Sequence, residues 1–309
     1  MFENYEVDGQ LSLFNQDTQV FKIDKPVRLI ELFAGVGSQA MALRNIGADF
    51  EHYRVVEFDK YAVASYNAIH GTDFPTMDVT KIHGSDLGIV DKDKYTYLLT
   101  YSFPCQDLSV AGLGKGMSKG SGTRSGLLWE VERLLNETEH LPQVLLMENV
   151  PQVHGKKNME DFQKWIDFLD KKGYSNFWKD LNAKNYGIAQ NRNRCFMVSI
   201  LGDYKYEFPE PIELTKKMKD YLEDEVDEKY YINNEKAQKL IEQPVQRDVL
   251  KNVTEHSCID FSIKSPKEIN AANCISARTD RGISNRSSEG SGVVEKVNCI
   301  GNVNPSQKD

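Results

Sequence analysis

Residues 27–37 read VRLIELFAGVG, a short apolar run that ends in two glycines. The apolar part, 27–33, is typical of a strand that is buried on both faces of a parallel sheet. Ser38 is predicted to cap the helix that follows. Because glycine at positions 35 and 37 lets the backbone approach a ligand closely, the stretch predicts a ligand-binding turn between a strand and a helix.

An acidic residue follows where a nucleotide-binding turn needs one. Glu57 ends the second predicted strand, 53–57, about 20 positions after Gly37, where a carboxylate accepts hydrogen bonds from ribose hydroxyls. Asp78 is placed to accept from an adenine amine, although an isolated aspartate is more often a turn or cap residue. A plain tight turn remains the alternative for the glycines, and the pattern does not separate NAD from S-adenosylmethionine, since both carry an adenosine.

Further strands and helices alternate along the chain. The predicted strands are 95–103, 144–147 and 195–201, and the predicted helices are 60–70, 127–136 and 159–172. This alternation implies right-handed βαβ units and a mostly parallel α/β sheet with helices on both faces. Ligands of such sheets bind beyond the carboxyl ends of the strands.

The candidate nucleophile is Cys105, which follows Pro104 at the end of a predicted strand. A cysteine beside a ligand crevice is placed to attack a substrate, whereas a single buried cysteine is usually inert. Glu148 ends a later strand, and its alternative role is an ordinary helix-capping turn. Arg192 and Arg194 precede another strand, and their alternative role is a solvated strand edge.

A Gly/Ser-rich segment, 111–124, carries Lys115, Lys119 and Arg124 and no acidic residue. Such a segment suits contact with phosphates, and an ordinary surface loop is its alternative.

These pieces together resemble the DNA (cytosine-5)-methyltransferases. The matching stretches, in chain order, are FAGVG at 33–37, Glu57, Asp78, PCQ at 104–106, RSGL at 124–127, ENV at 148–150 and QNRNR at 190–194. Each stretch is weak alone, and the ordered set is specific. One small departure is Ser38, where the family commonly has a glycine.

The resemblance implies the fold and the catalytic roles. It implies a Rossmann-like, S-adenosylmethionine-dependent methyltransferase sheet that methylates C5 of a flipped-out cytosine through a covalent bond between Cys105 and C6. Glu148 would then bind N3 and the exocyclic amine, and Arg194 would hold the cytosine O2. Arg192 would support the carboxylate or nearby DNA.

The resemblance also assigns residues to the cofactor and to double-stranded DNA. The cofactor residues are Phe33 against the adenine, Gly35 and Gly37 near the methionine end, Glu57 on the ribose, Asp78 on the adenine and Pro104 beside the methyl group. The candidate DNA contacts are Lys115, Lys119, Arg124, Arg278, Arg281 and Arg286.

The expected organisation has three parts. Residues 1–25 form an N-terminal extension without a secretory signal, 26–203 the catalytic domain, and 204–309 a smaller, irregular, strand-rich target-recognition region. Two later family segments, an R-x-L-T-P-R-E-like helix start and a G-N-x-V helix, are missing, and the match of 301–305 to the second is superficial. We therefore expect a truncated chain, and the resemblance leaves open a separate C-terminal fragment or a cognate restriction endonuclease as partner.

Composition sets the remaining expectations. The formal net charge of −8 argues mildly against a nucleic-acid partner, but an acidic cluster at 220–228 accounts for most of it. The five cysteines are scattered without a C-x-x-C, which argues against a zinc site and disulfides and fits the cytoplasm of a bacterial or phage-infected cell. We expect a monomer without a membrane span. A nicotinamide-dependent oxidoreductase and an inactive DNA-binding remnant of a methyltransferase remain the alternatives.

Overall fold

The computed structural model describes residues 19–108, 115–223, 225–227, 229, 239, 256–262, 266–273 and 291–295. These residues divide into two compact units. The first unit comprises residues 19–180 and Arg194–Phe208, and the second comprises Leu181–Asn193 and the described residues from Pro209 onward. The expected boundary at 203/204 stays a prediction. Leu181–Asn193, which the sequence analysis placed in the catalytic domain, belongs to the second unit.

The described strands and helices are short. The strands are β1 Gln19–Val20, β2 Val27–Leu32, β3 Phe50–Val56, β4 Thr96–Tyr101, β5 Val144–Asn149, β6 Tyr174–Asn182, β7 Gln190–Asn191, β8 Asn193–Leu201, β9 Tyr204–Lys205, β10 His256–Asp260, β11 Lys267–Glu268, β12 Ala272–Asn273 and β13 Ser291–Glu295. The helices are α1 Ser38–Asn45, α2 Lys60–His70, α3 Leu128–Glu137 and α4 Met159–Lys171. No helix among the described residues has the length and apolar character needed to cross a membrane.

A six-stranded sheet forms the centre of the first unit, in the order β3-β2-β4-β5-β8-β6. Strands β3, β2, β4 and β5 pair in parallel, and β8 pairs antiparallel to β5. The register aligns Leu32 with Tyr101 and Tyr101 with Met147. The chain segments that follow β2 and β4 therefore leave the sheet at one edge, where β5 also ends.

Apolar side chains cover both faces of this sheet. Ile30 and Leu99 belong to a large buried cluster that includes residues of α3 and α4, among them the fully buried Trp165. The preceding residues of the same strands, Leu29 and Leu98, belong to a second buried cluster with Ala40 of α1. Because neighbouring strand residues point to opposite faces, the sheet lies between two apolar layers. The expectation of a mostly parallel α/β sheet with helices on both faces is confirmed.

The helix starts differ from one another in their capping. Gly37, with a φ of 80°, precedes α1, and no side chain caps that helix. The expectation that Ser38 caps it was wrong, because the left-handed glycine turn already places Ser38 inside the first helical turn. Helix α2 has a conventional cap, since the Asp59 carboxylate accepts from the backbone of Tyr61 at 2.8 Å.

Short strands dominate the described part of the second unit. Strand β10 pairs antiparallel with β11 and β13, and β7 pairs in parallel with β12. Ile259 and Phe261 are buried, and Cys258 lies opposite Val293 in the register.

A buried acid, Glu31, lies on β2 with 1% of its surface exposed. The Tyr66 hydroxyl donates to its Oε2 at 2.5 Å, and its Oε1 has no partner among the described residues. Burial raises the pKa of Glu31 to about 7, although the Tyr66 hydroxyl and the backbone N–H of Ala40 act in the opposite direction. Folding therefore favours the neutral form of this carboxyl group below that pH.

Replacing Glu31 by glutamine should make the stability of the first unit less sensitive to a rise in pH from acidic to neutral. The folded pKa lies above the ordinary value of 4.5, so the wild-type contribution is complete below pH 4.5 and is lost as the pH rises through 7. Between about pH 5 and about pH 8.5, the free energy of unfolding in urea should shift in favour of Glu31→Gln by about 2 kcal/mol relative to the wild type. Glu51→Gln, at an exposed position of β3, is the control, and an equal shift in both variants would contradict the assignment.

Candidate active site

The turn after β2 has an unusual backbone. Phe33, Gly35 and Gly37 have φ angles of 58°, 55° and 80°, in the left-handed region that favours glycine. A Cβ on Gly37 would lie 2.6 Å from Cε2 of Tyr66, whereas a Cβ on Gly35 would meet nothing within 4 Å. Gly37 is therefore required by packing, and the Gly35 backbone faces open space.

Glu57 connects this turn to the start of α2. Its Oε2 accepts from the backbone N–H of Gly35 at 3.0 Å, and its Oε1 accepts from that of Asp59 at 2.9 Å. Each carboxylate oxygen accepts more than one hydrogen bond, so Glu57 keeps capacity for hydroxyl groups of a ligand. Sequence reasoning predicted Glu57 at this strand end but not its contact with the glycine turn.

Asp78 lies near Glu57 through a backbone contact, since Met77 N–H donates to the Glu57 carbonyl at 2.8 Å. Oδ1 of Asp78 accepts from the backbone N–H and the hydroxyl of Thr80, at 3.0 and 2.8 Å. These bonds, the backbone bond foremost, lower the pKa of the Asp78 carboxyl group. The side chain closes a turn, its Oδ2 lies 3.6 Å from Lys81 Nζ, and it remains 37% exposed.

Sequence reasoning missed Phe58, which follows Glu57 and is 74% exposed. A large aromatic ring that faces solvent next to a candidate ligand-binding acid is suited to stacking on a planar base. Phe33, the predicted adenine contact, is partly buried and packs against the large core cluster, and its contact with an adenine stays a prediction. The signal for Phe58 was present in the sequence as an aromatic residue beside Glu57, but its exposure could not be read there.

The loop that carries Cys105 is held by hydrogen bonds from other segments. Asn149 Nδ2 donates to the Phe103 carbonyl at 3.0 Å, and Ser125 Oγ donates to the Pro104 carbonyl at 2.6 Å. Gln39 of α1 donates to Ser102 Oγ at 3.0 Å, which joins the loop to the glycine turn. Cys105 itself has a free, half-buried thiol. The loop is thus positioned by the segments that contain the ENV and RSGL stretches.

Arg124 also belongs to this loop network. Its backbone N–H donates to Asp107 Oδ2 at 2.9 Å, and its guanidinium donates to Gln106 Oε1. The side chain is therefore bound to the loop that carries Cys105. Lys119, another predicted DNA contact, forms an ion pair of 2.5 Å with Glu132 of α3.

Glu148 and Arg194 form an ion pair, with Arg194 Nε 3.0 Å from Glu148 Oε1. About four fifths of each side chain is buried, so the pair is largely shielded from water. Glu148 follows Met147, which is in register with Tyr101 of β4, and both strands therefore bring their site residues to the same edge. The structure gives Glu148 a direct contact with Arg194, and the expectation that Arg192 supports the carboxylate or nearby DNA stays a prediction.

The remaining predicted residues are divided between the units and the undescribed segments. Arg192 belongs to the second unit, where its carbonyl accepts from Ala183 N–H at 2.9 Å. Lys115 is exposed. Arg278, Arg281 and Arg286 lie outside the described residues.

Solved structures similar to this one are methyltransferases. The Dnmt2 methyltransferase of S. pombe has a TM-score of 0.54 and 24% identity, covering 70% of this chain and 66% of its own. The methyltransferase EhMeth of Entamoeba histolytica has a TM-score of 0.54 and 19% identity, and the match covers 68% of this chain and 63% of EhMeth. At these identities the likeness establishes the fold, which is that of the α/β methyltransferases.

The family follows from the sequence comparison. The profile of the C-5 cytosine-specific DNA methylases matches residues 27–305. The type II methyltransferase M2.ScrFI of Lactococcus lactis subsp. cremoris is 33% identical over 72% of this chain and 74% of its own length. The orphan methyltransferase M.SssI of Spiroplasma monobiae is 34% identical over 77% of this chain and 75% of its own length. The chain belongs to the C-5 cytosine-specific DNA methylase family.

Truncation of Asn149 should destabilise the first unit. The residue is 2% exposed, and besides its bond to Phe103 it accepts from Val150 N–H at 2.8 Å. Asn149→Ala would leave the Phe103 carbonyl and the Val150 N–H without these partners. The free energy of unfolding in urea should therefore fall by about 2 kcal/mol or more. Gln163→Ala, which removes an exposed bond within α4, is the control and should change it by less than about 0.5 kcal/mol.

Proposed function

We propose that this chain transfers a methyl group from S-adenosylmethionine to C5 of a flipped-out cytosine in a specific sequence of double-stranded DNA. The observation that carries the proposal is the shared sheet edge, to which strands in register bring the glycine turn with Glu57, the Pro104-Cys105 loop and the Glu148–Arg194 pair. Family membership supports the reaction class, and DNA is the substrate that the family name states.

Cys105 would act as the nucleophile. Its thiolate would form a bond to C6 of the cytosine, and the electron pair of the C5–C6 double bond would then make C5 nucleophilic. The partial exposure of the thiol and the fixation of its loop by Asn149 and Ser125 support this role. After transfer, loss of the C5 proton and departure of the Cys105 thiolate restore the aromatic ring.

Glu148 would hydrogen-bond the N3 side of the ring, where charge develops when the thiolate adds. Arg194 holds this carboxylate from one side, so it positions Glu148 in addition to the predicted contact with the cytosine O2. Because the pair is mostly buried, its electrostatic effect on a bound base would exceed that of an exposed pair.

The residues of the glycine turn fit S-adenosylmethionine. The Gly35 backbone faces open space, Glu57 has acceptor capacity for ribose hydroxyls, and Phe58 offers an exposed ring to the adenine. Asp78 would accept from the adenine amine, and Pro104 would line the methyl-transfer pocket. Bound S-adenosylmethionine would supply the electrophilic sulfonium methyl group.

Double-stranded DNA would be read mainly by the region from 204 onward, with Lys115, Lys119 and Arg124 near the phosphates. The relatives come from bacteria and a Bacillus phage, which supports the cytoplasm as the place of action. Some of these relatives are named type II methyltransferases and others orphan methyltransferases, so a cognate endonuclease stays a prediction.

Substitution of the nucleophile should abolish methylation and spare the cofactor. Cys105→Ser should lower transfer of labelled methyl groups to DNA by at least about 10³-fold, because an alkoxide is not available at neutral pH. Calorimetry should give the same affinity for S-adenosylmethionine as the wild type. Undiminished transfer by this variant would remove Cys105 from the reaction. Wild-type DNA binding without any transfer would favour the inactive remnant.

Removal of the charge on Glu57 should weaken cofactor binding. Glu57→Gln should raise the dissociation constant for S-adenosylmethionine about tenfold, because charged acceptors bind hydroxyls more strongly than neutral ones. Glu51→Gln is the matched control, since Glu51 lies on the same strand at the opposite end and pairs with Arg28. Calorimetry with NAD completes the test, and tighter binding of NAD than of S-adenosylmethionine would favour the oxidoreductase.

A further inference from the structure

Three potential metal ligands meet in the first unit without a part in the proposed reaction. His154 ends the 3-10 turn Pro151–His154, Asp180 lies on β6 and Cys195 lies on β8. One ligand atom from each lies within 4.8 Å of the other two. His154 Nε2 and Asp180 Oδ1 are 2.9 Å apart.

The donor set matches a particular class of cation. A thiolate, an imidazole and a carboxylate are the ligands of zinc and of similar borderline-soft divalent ions, with bonds of about 2.0–2.3 Å. Ligand atoms around such an ion are separated by roughly 3.5 Å, so these three groups need to move by only about 1 Å. Calcium and magnesium, which take oxygen ligands, do not fit a site with sulfur and nitrogen donors.

The residues around the cluster restrict the imidazole of His154 and leave one side of the cluster partly exposed. The centroid of the His154 ring lies 4.6 Å from that of Trp178 and 6.1 Å from that of Phe162, and these contacts restrict the orientation of the imidazole. The side chains of His154 and Asp180 are 20% and 31% exposed, whereas Cys195 is fully buried. A cation can thus enter from the side of the first two residues and reach the sulfur behind them.

The electrostatics around the sulfur oppose a thiolate when no cation is bound. Burial raises the pKa of the Cys195 thiol to about 12, and the negative charges of Asp180 and Glu148 add to the effect. A divalent ion at this position reverses the balance, because it stabilises the thiolate directly.

We propose that His154, Asp180 and Cys195 bind one zinc-like divalent cation, with water as the fourth ligand. On binding, the S–H bond of Cys195 breaks and its proton passes to solvent, while the thiolate sulfur bonds to the metal. The proton that His154 Nε2 donates to Asp180 passes to solvent while Nδ1 takes one up, so that the neutral imidazole binds through Nε2, and Asp180 exchanges its hydrogen bonds for a metal bond. No group is oxidised or reduced.

The site would stiffen a part of the sheet edge that the proposed reaction uses. Cys195 directly follows Arg194 and lies opposite Asn149 in the β5–β8 register. A bound ion therefore cross-links the start of β8 to β6 and to the turn after β5. The binding itself does not depend on the proposed methyl transfer.

Cobalt titration tests the proposal on the full chain after chelator treatment, in a non-thiol reductant and without an affinity tag. One equivalent of Co²⁺ should produce a sulfur-to-cobalt charge-transfer band and the strong visible bands of a tetrahedral site. Zn²⁺ should displace the cobalt and raise the melting temperature. Cys195→Ser should lose the charge-transfer band, and His154→Gln should weaken cobalt binding about tenfold or more.

Cys105→Ser is the matched control for a thiol outside the cluster and should retain the full spectrum. Since a polar residue at the buried position 195 can destabilise the fold, Asp180→Asn and His154→Gln, at partly exposed positions, provide the same test with the sulfur intact. The proposal is overturned if the wild type gives no charge-transfer band. It is equally overturned if the band is unchanged in Cys195→Ser, or if both partly exposed variants bind cobalt as tightly as the wild type.

Discussion

The register of three parallel strands is the constraint on which the site depends. Leu32, Tyr101 and Met147 lie side by side at the ends of β2, β4 and β5. This alignment brings the glycine turn, the Pro104-Cys105 loop and Glu148 to one edge of the sheet from positions more than 100 residues apart in sequence. Because both faces of the sheet are packed with apolar side chains, a slip in register would expose core residues to solvent and is strongly disfavoured.

Hydrogen bonds then fix the segments that leave this edge. Asn149 binds the carbonyl before Pro104, Gln39 binds Ser102, and Glu57 binds Gly35. Each bond joins the end of one strand to the segment that follows another. The candidate nucleophile and the glycine turn are therefore parts of one network, and a change at Asn149 is expected to reach Cys105 through the backbone of Phe103.

The sequence was sufficient for the parts of the fold that rest on local pattern. The apolar run at 27–33, the glycines after it and the helix at 60–70 are visible in the chain itself, and the motif order identified the family. The packing of Phe33 and the exposure of Phe58 were not predictable, because they depend on which residues meet across the sheet. The antiparallel strand β8 places Cys195 beside Asp180, and no spacing rule for cysteines reveals such a cluster.

A covalent complex with DNA tests the central claim most directly. Duplex DNA that contains 5-fluorocytosine at the target position lacks the C5 proton whose loss releases the enzyme. With S-adenosylmethionine present, the wild-type chain should form a denaturation-resistant adduct, and peptide mapping should locate the bond at Cys105. Absence of an adduct on DNA that the chain binds and methylates when it carries ordinary cytosine, or attachment at another residue, would contradict the account.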